Sequence, residues 1–175
     1  MRSSRAAQPK RGCLSILRPC RRLRRNTRPC DIRLPFYCSR PVLFWGAAQL
    51  QETLVTAVAE APASTTPLEA VMAALCAAAP MFEERHEFAA RRQQIIAANP
   101  ELQERELIKL ASLAGSVAQA LRGRGVADPA AILTAEAGTT VFRVAFERWV
   151  DPACRRSLQQ LIGESMEDLR AATAA

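Results

Sequence analysis

A chain of 175 residues that is 49 % hydrophobic but only 5 % aromatic has room for one continuous core, and its formal charge of +7 places it among basic proteins. No apolar run approaches the roughly 20 residues of a membrane-spanning helix, and the opening residues lack the apolar stretch of a secretory signal. The expected protein is therefore neither membrane-bound nor exported by that route. Alanine and leucine dominate and β-branched runs are few, which favours helix over sheet; the fold class expected is all-α.

The charge is unevenly placed. Residues 1–41 hold Lys10 and eleven arginines against one acid, Asp31, whereas the remainder holds twelve basic groups against sixteen acids. A basic arm (residues 1–41) ahead of a mildly acidic body (residues 42–175) points to contact with nucleic acid or a charged surface by the arm alone. Its densest part, "RPCRRLRRNTRPC" (Arg18–Cys30), has no counterpart later in the chain. Cys13, Cys20, Cys30 and Cys38 lack the C-x2-C spacing of a zinc knuckle, and the one histidine, His86, is remote, so no metal site and no cofactor are expected. Pro9, Pro19, Pro29, Pro35 and Pro41 would break any helix attempted there. The readings that remain are a disordered arm that neutralises phosphates in a salt-sensitive way, a transit peptide, or a shifted frame of GC-rich codons joined to the working frame near Val42.

From Val42 onward one device recurs, a capping residue followed by proline: Thr66-Pro67, Asn99-Pro100, Asp128-Pro129 and Asp151-Pro152. Thr, Asn or Asp accepts from an orphan first-turn N–H, and proline at the next position has no N–H to leave unpaired. Thr66-Pro67-Leu68-Glu69 also has the form of a capping box. These starts predict six helices, over about 42–61, 67–79, 82–98, 100–122, 129–149 and 152–172. The segments 61–67 and 122–129 read as loops, since Pro, Ser, Thr and Gly replace the apolar period.

In the last predicted helix Leu158, Leu161, Ile162, Ser165, Met166 and Leu169 form one stripe. The helix before it is apolar nearly all round, including Val141, Ala145 and Trp149, and needs cover on several sides. A two-fold dimer through these two helices would supply it, which assigns Val141, Ala145, Trp149, Leu158, Leu161, Ile162, Ser165 and Leu169 to an interface. Leu113 and Val117, on the helix from Pro100, are read with Leu54, Met72, Leu75, Met81, Phe88 and Ile95 as the lining of an apolar pocket or, more simply, as core.

Catalytic patterns are absent: no Gly-rich phosphate loop, H-E-x-x-H, G-x-S-x-G or C-x-x-C occurs. His86, in "FEERHEF", reads as structural, though placed to donate to a polar ligand atom. Glu83, Glu84 and Glu87 read as a solvated face. Cys76 reads as a core thiol. Cys154 is expected in the first turn of the last helix beside Arg155 and Arg156, where positive potential favours its thiolate. With no disulfide framework in the body, a reducing cytoplasm is the expected location.

"RRQQIIAANPEL" (residues 91–102), the "RGRGVADP" loop, the helix ending in Arg148-Trp149 and the closing "SLQQLIGESMEDL" together resemble the C-terminal regulatory domain of TetR transcriptional regulators, closest to an actinobacterial, mycofactocin-regulator-like branch. The resemblance covers about residues 42–172. It implies an all-helical homodimer joined by its last two helices, a small apolar effector bound inside, and release from operator DNA when the effector binds. It also implies a preceding three-helix DNA-binding domain. Only "FYCSRPVLFW" echoes that domain's end, with Tyr37, Ser39 and Arg40 as the remnant of a DNA contact. DNA is thus a partner only if an intact N-terminal region or the basic arm serves it. Two other readings stay open: a dimeric ligand-binding module without DNA, and a non-specific nucleic-acid binder.

Overall fold

The computed structural model describes residues 46–174, which contain seven helical segments and no strand. They are α1 (Ala47–Glu60), α2 (Pro67–Ala78), the single turn α3 (Pro80–Glu83), α4 (His86–Ala97), α5 (Pro100–Gly123), α6 (Asp128–Trp149) and α7 (Leu158–Thr173). The all-α expectation holds. The predicted start at Val42 and the whole of residues 1–41, with Tyr37, Ser39 and Arg40, lie outside the described residues.

The helix ends follow local chemistry, with departures from the sequence reading. The capping box at α2 is complete: Thr66 Oγ1 accepts from Glu69 N at 3.3 Å, and Glu69 Oε2 accepts from Thr66 N at 2.9 Å. Asn99 is the N-cap of α5, with Pro100 first in the helix and Gln103 N donating to Asn99 O at 3.1 Å, but its side chain makes no capping bond and instead donates from Nδ2 to Ile95 O at 2.6 Å at the end of α4. Asp128 is the first residue of α6, not its cap, and its carboxylate receives Arg122 Nε at 2.5 Å. The predicted helix 82–98 is two: Pro80 starts α3, and Arg85, at φ −131° and ψ 32°, interrupts the spiral before α4.

The largest correction concerns the last helix. Asp151-Pro152 does not start it, because Asp151 Oδ1 accepts from Ala153 N at 2.8 Å and forms a local turn. The helix begins six residues later, where Ser157 Oγ accepts from Gln160 N at 3.2 Å and Gln160 Oε1 accepts from Ser157 N at 3.1 Å. Two features select this start: the box is reciprocal, and the buried stripe begins at Leu158. Cys154 accordingly sits in the connecting segment and not in a first turn.

α5 ends in a Schellman arrangement around Gly125, whose φ of +84° is the left-handed conformation glycine adopts without a Cβ penalty. Val126 N donates to Leu121 O at 3.1 Å and Gly125 N to Arg122 O at 2.8 Å. Arg124 then reaches across the bundle, its guanidinium donating to Val58 O at 3.2 Å, Pro62 O at 2.9 Å, Thr65 O at 3.4 Å, and Ala61 O. Those carbonyls terminate α1 and line the following loop, so one side chain satisfies a helix C-terminus that would otherwise be left open.

α6 is the centre of the bundle and packs against α2, α5 and α7, as its nearly all-round apolarity demands. α1 lies on α2 and α5. The core is built from Leu54, Val58, Leu75, Leu121, Leu158 and Ile162, among others, all essentially without solvent contact. α2 crosses α6 at Gly138, which among the described residues is the one helical glycine where an added Cβ would meet another helix. α4 is peripheral, tied to α5 by the half-buried Arg92–Glu106 pair at 2.5 Å.

Candidate effector site and subunit face

Six of the eight residues assigned to the pocket are brought together. Leu54, Leu75, Leu113 and Val117, from α1, α2 and α5, are buried in one core cluster, and Met72 and Met81 pack half-buried against it. Thr53 Oγ1 points at Met81 Sδ, 3.8 Å away. Phe88 and Ile95, seven residues apart on α4, do not join them and stand 47 % and 39 % exposed. Their spacing places them on one face, but that face is turned outward.

Two surface clefts are lined by other residues. A cleft of about 310 Å³ lies between Ala90, Gln93, Gln94 and Ala97 of α4 and Glu147, Val150, Asp151 and Pro152 at the end of α6. A smaller one, about 190 Å³, is formed by Leu107, Leu110 and Ala111 of α5 with Glu136, Thr139, Thr140 and Arg143 of α6. Neither contains any of the eight.

Beside the first cleft is an aromatic corner that the sequence did not reveal as a unit. Phe82 lies against Phe142 and Phe146, with ring centroids 5.4 and 5.6 Å apart, and Trp149 meets both Phe146 and His86. His86 Nε2 is 3.2 Å from Trp149 O, and its ring stands edge-on to the indole at 4.5 Å. Glu83 Oε1 accepts from Leu158 N at 3.0 Å, capping α7 from a residue 75 positions earlier. The segment from Glu83 to His86 thus grips both ends of the α6–α7 connection. Glu83, Glu84 and Glu87 are all exposed, as a solvated face would be, but Glu83 also caps α7 and His86 is half-buried against Trp149.

The residues assigned to a dimer interface are covered by their own chain. Val141, Ala145, Trp149, Leu158, Leu161, Ile162 and Ser165 are buried within the protomer, and Leu169 is half-buried. Ser165 Oγ accepts from Arg148 Nη1 at 3.2 Å, and Arg148 also pairs with Glu164 at 3.0 Å and Asp168 at 3.4 Å, fastening α6 to α7. The large apolar side chains that α6 leaves to solvent are Ile132, Leu133 and Val144.

Among titrating groups, burial pushes the Cys76 thiol up, consistent with an inert core position. Burial lowers Lys109, an effect that neighbouring Arg92 reinforces and Glu106 opposes. Among the described residues no group of three or more His, Cys, Asp or Glu is placed to hold a metal ion, and no helix is long and apolar enough to cross a membrane.

Comparison with curated proteins gives no significant match. The sequence model of the MftR C-terminal domain, a TetR-type regulatory domain, matches residues 65–174, which span α2 to α7 and most of the bundle just described. Through that match the chain belongs to the TetR family of ligand-responsive regulators, as a bearer of the MftR C-terminal domain.

Proposed function

We propose that residues 42–175 form the effector-binding and dimerising domain of a cytoplasmic TetR-type repressor, and that the chain performs no catalysis. The observation that carries this reading is the match to a regulatory domain over α2 to α7. The effector we infer is a small apolar molecule entering where Met72 and Met81 border the cluster of Leu54, Leu75, Leu113 and Val117. Thioether side chains adapt to irregular ligands, and apolar sites between helices are common in bundles. Binding there would spread α1, α2 and α5 and alter the relation of the two subunits.

Residues 1–41 supply DNA contact only electrostatically in this reading, since their excess of arginine recognises phosphate rather than base edges. The test is thermal unfolding with a panel of apolar small molecules. A true effector at a hundred times its Kd stabilises by about 2.7 kcal/mol, a rise of several degrees. No shift with any member, together with DNA affinity that collapses as salt rises and vanishes on removal of residues 1–41, would favour the non-specific nucleic-acid binder instead.

A further inference from the structure

We propose that the segment Pro80–His86 is a strap over the apolar cluster, latched to both ends of the α6–α7 connection, and that its release admits the small apolar effector. This rests on the effector reading above and names the path by which such a molecule reaches a site whose lining the bundle buries.

A path is needed because the cluster is shut. Leu54, Leu75, Leu113 and Val117 are each at most 7 % exposed, and neither surface cleft includes any of them. Of the two methionines that border the cluster, Met72 lies in the middle of the twelve-residue α2, whose start is fixed by a complete capping box. Moving it would unwind that helix. Met81 lies in α3, a single turn of four residues, and can leave without cost to any longer helix.

The strap has a break at each end. It begins at Pro80, which has no N–H to bond back into α2, and it meets α4 at Arg85, whose φ of −131° and ψ of 32° are not helical. The N–H groups of Phe82, Glu83, Glu84 and Arg85 donate only to Ala79, Pro80 or Phe82, at 2.9–3.2 Å. Side chains therefore hold the strap to α1, α6 and α7. Thr53 Oγ1 of α1 reaches Met81 Sδ at 3.8 Å, and Phe82 sits against the Phe142 and Phe146 rings of α6.

Two polar latches complete the closure. The reciprocal Ser157–Gln160 box leaves the N–H of Leu158, the first residue of α7, without a partner, and Glu83 Oε1 accepts from it at 3.0 Å. The carboxylate lies where the α7 dipole favours negative charge. His86 Nε2 is 3.2 Å from the carbonyl of Trp149, the last residue of α6; a carbonyl can only accept, so Nε2 donates. Lifting the strap breaks both hydrogen bonds and bares Met81 and Phe82, which are apolar surface for an incoming apolar molecule to cover. Opening of this kind is local and requires far less than global unfolding.

The test measures, in the full chain, stopped-flow uptake and release of the uncharged apolar dye N-phenyl-1-naphthylamine, with amide exchange read by mass spectrometry in the absence of dye. Glu83→Ala and His86→Ala are expected to raise uptake and release rates together, each by about tenfold, and to leave the Kd within about twofold, because the strap is closed both before and after entry. Glu83→Gln, which keeps the acceptor and loses the charge, is expected to give a smaller rise. Without dye, both alanine variants should speed exchange across residues 80–88 and at the start of α7 while the buried part of α5 stays slow. Unchanged dye rates overturn the strap as the path, as does a higher Kd carried by release alone, which would make these residues a wall of the site. Exchange at the start of α7 that occurs in every variant only together with that of α5 also overturns it. A chain whose strap opens by exchange yet takes up no dye overturns the effector reading, and the strap's role falls with it.

Discussion

Replacing Gly138 by alanine probes the crossing of α2 and α6 with a single methyl group. In most helix interiors this change stabilises by about 0.5–1 kcal/mol, because alanine loses less backbone entropy than glycine. At Gly138 the new Cβ would lie 2.4 Å from Val71 Cγ1, 3.7 Å from Val71 Cβ and 3.8 Å from Leu75 Cδ1. Carbon atoms pack at about 3.5–4 Å, so the overlap with the valine methyl exceeds 1 Å. Val71 is buried, and a β-branched side chain in a helix is nearly confined to one rotamer, which leaves little room to yield. Overpacking of this kind costs about 1–3 kcal/mol, and subtracting the propensity gain leaves a net loss centred on about 1 kcal/mol and reaching about 2.5 kcal/mol. Urea unfolding followed by circular dichroism, at fixed protein concentration, measures it. Gly115→Ala, where nothing lies within 4 Å of the added methyl, is the control and should be neutral or stabilising. Val71→Ala in the Gly138→Ala background removes the opposing methyl and should recover at least about 1 kcal/mol relative to additivity. A Gly138→Ala protein as stable as the Gly115→Ala control would refute the close approach.

Other consequences are open to equally simple measurement. Arg124→Ala should destabilise by about 2 kcal/mol in the same unfolding assay, because hydrogen bonds from a charged donor to the end of α1 are lost and water only partly replaces them; Arg124→Lys should recover only part, lacking the planar fork. Ser157→Ala should cost about 1 kcal/mol by removing the cap of α7, whereas Asp151→Ala should leave helical content unchanged, the reverse of what a helix start at Asp151 would require. Glu69 is held below its usual 4.5 by hydrogen bonds from the Thr66 side chain and backbone. A carboxylate with a depressed folded pKa stabilises above its unfolded value and loses that contribution as pH falls below about 4.5 through the folded value. Thr66→Val should therefore flatten the acid limb of the stability profile and leave its shape above pH 5 unaltered; an unchanged acid limb would contradict the assigned cause.

What the sequence disclosed and what it hid divide along the range of the interactions. The Thr66 to Glu69 box is legible because donor and acceptor are three residues apart. Ser157 and Gln160 have the same spacing, yet Asp151-Pro152 competes for the start of the helix, and the reciprocal box together with the burial of Leu158 shows which prevails. The Arg124 clamp joins positions about 60 residues apart, and nothing in "RGRGVADP" names its acceptors. Apolar period identifies the stripe of Leu158, Leu161 and Ile162 without saying whether its own chain or a second copy covers it; the bundle covers it itself. Phe88 and Ile95 show the converse, since side chains read as pocket lining turn outward on a helix held mainly along one side.

Native mass spectrometry of the full chain, before and after exposure to a panel of apolar small molecules, tests the central claim directly because it reads assembly and occupancy together. The account predicts a dimer that retains one small apolar molecule per subunit for at least one member of the panel. A monomer that takes up none of them would contradict it.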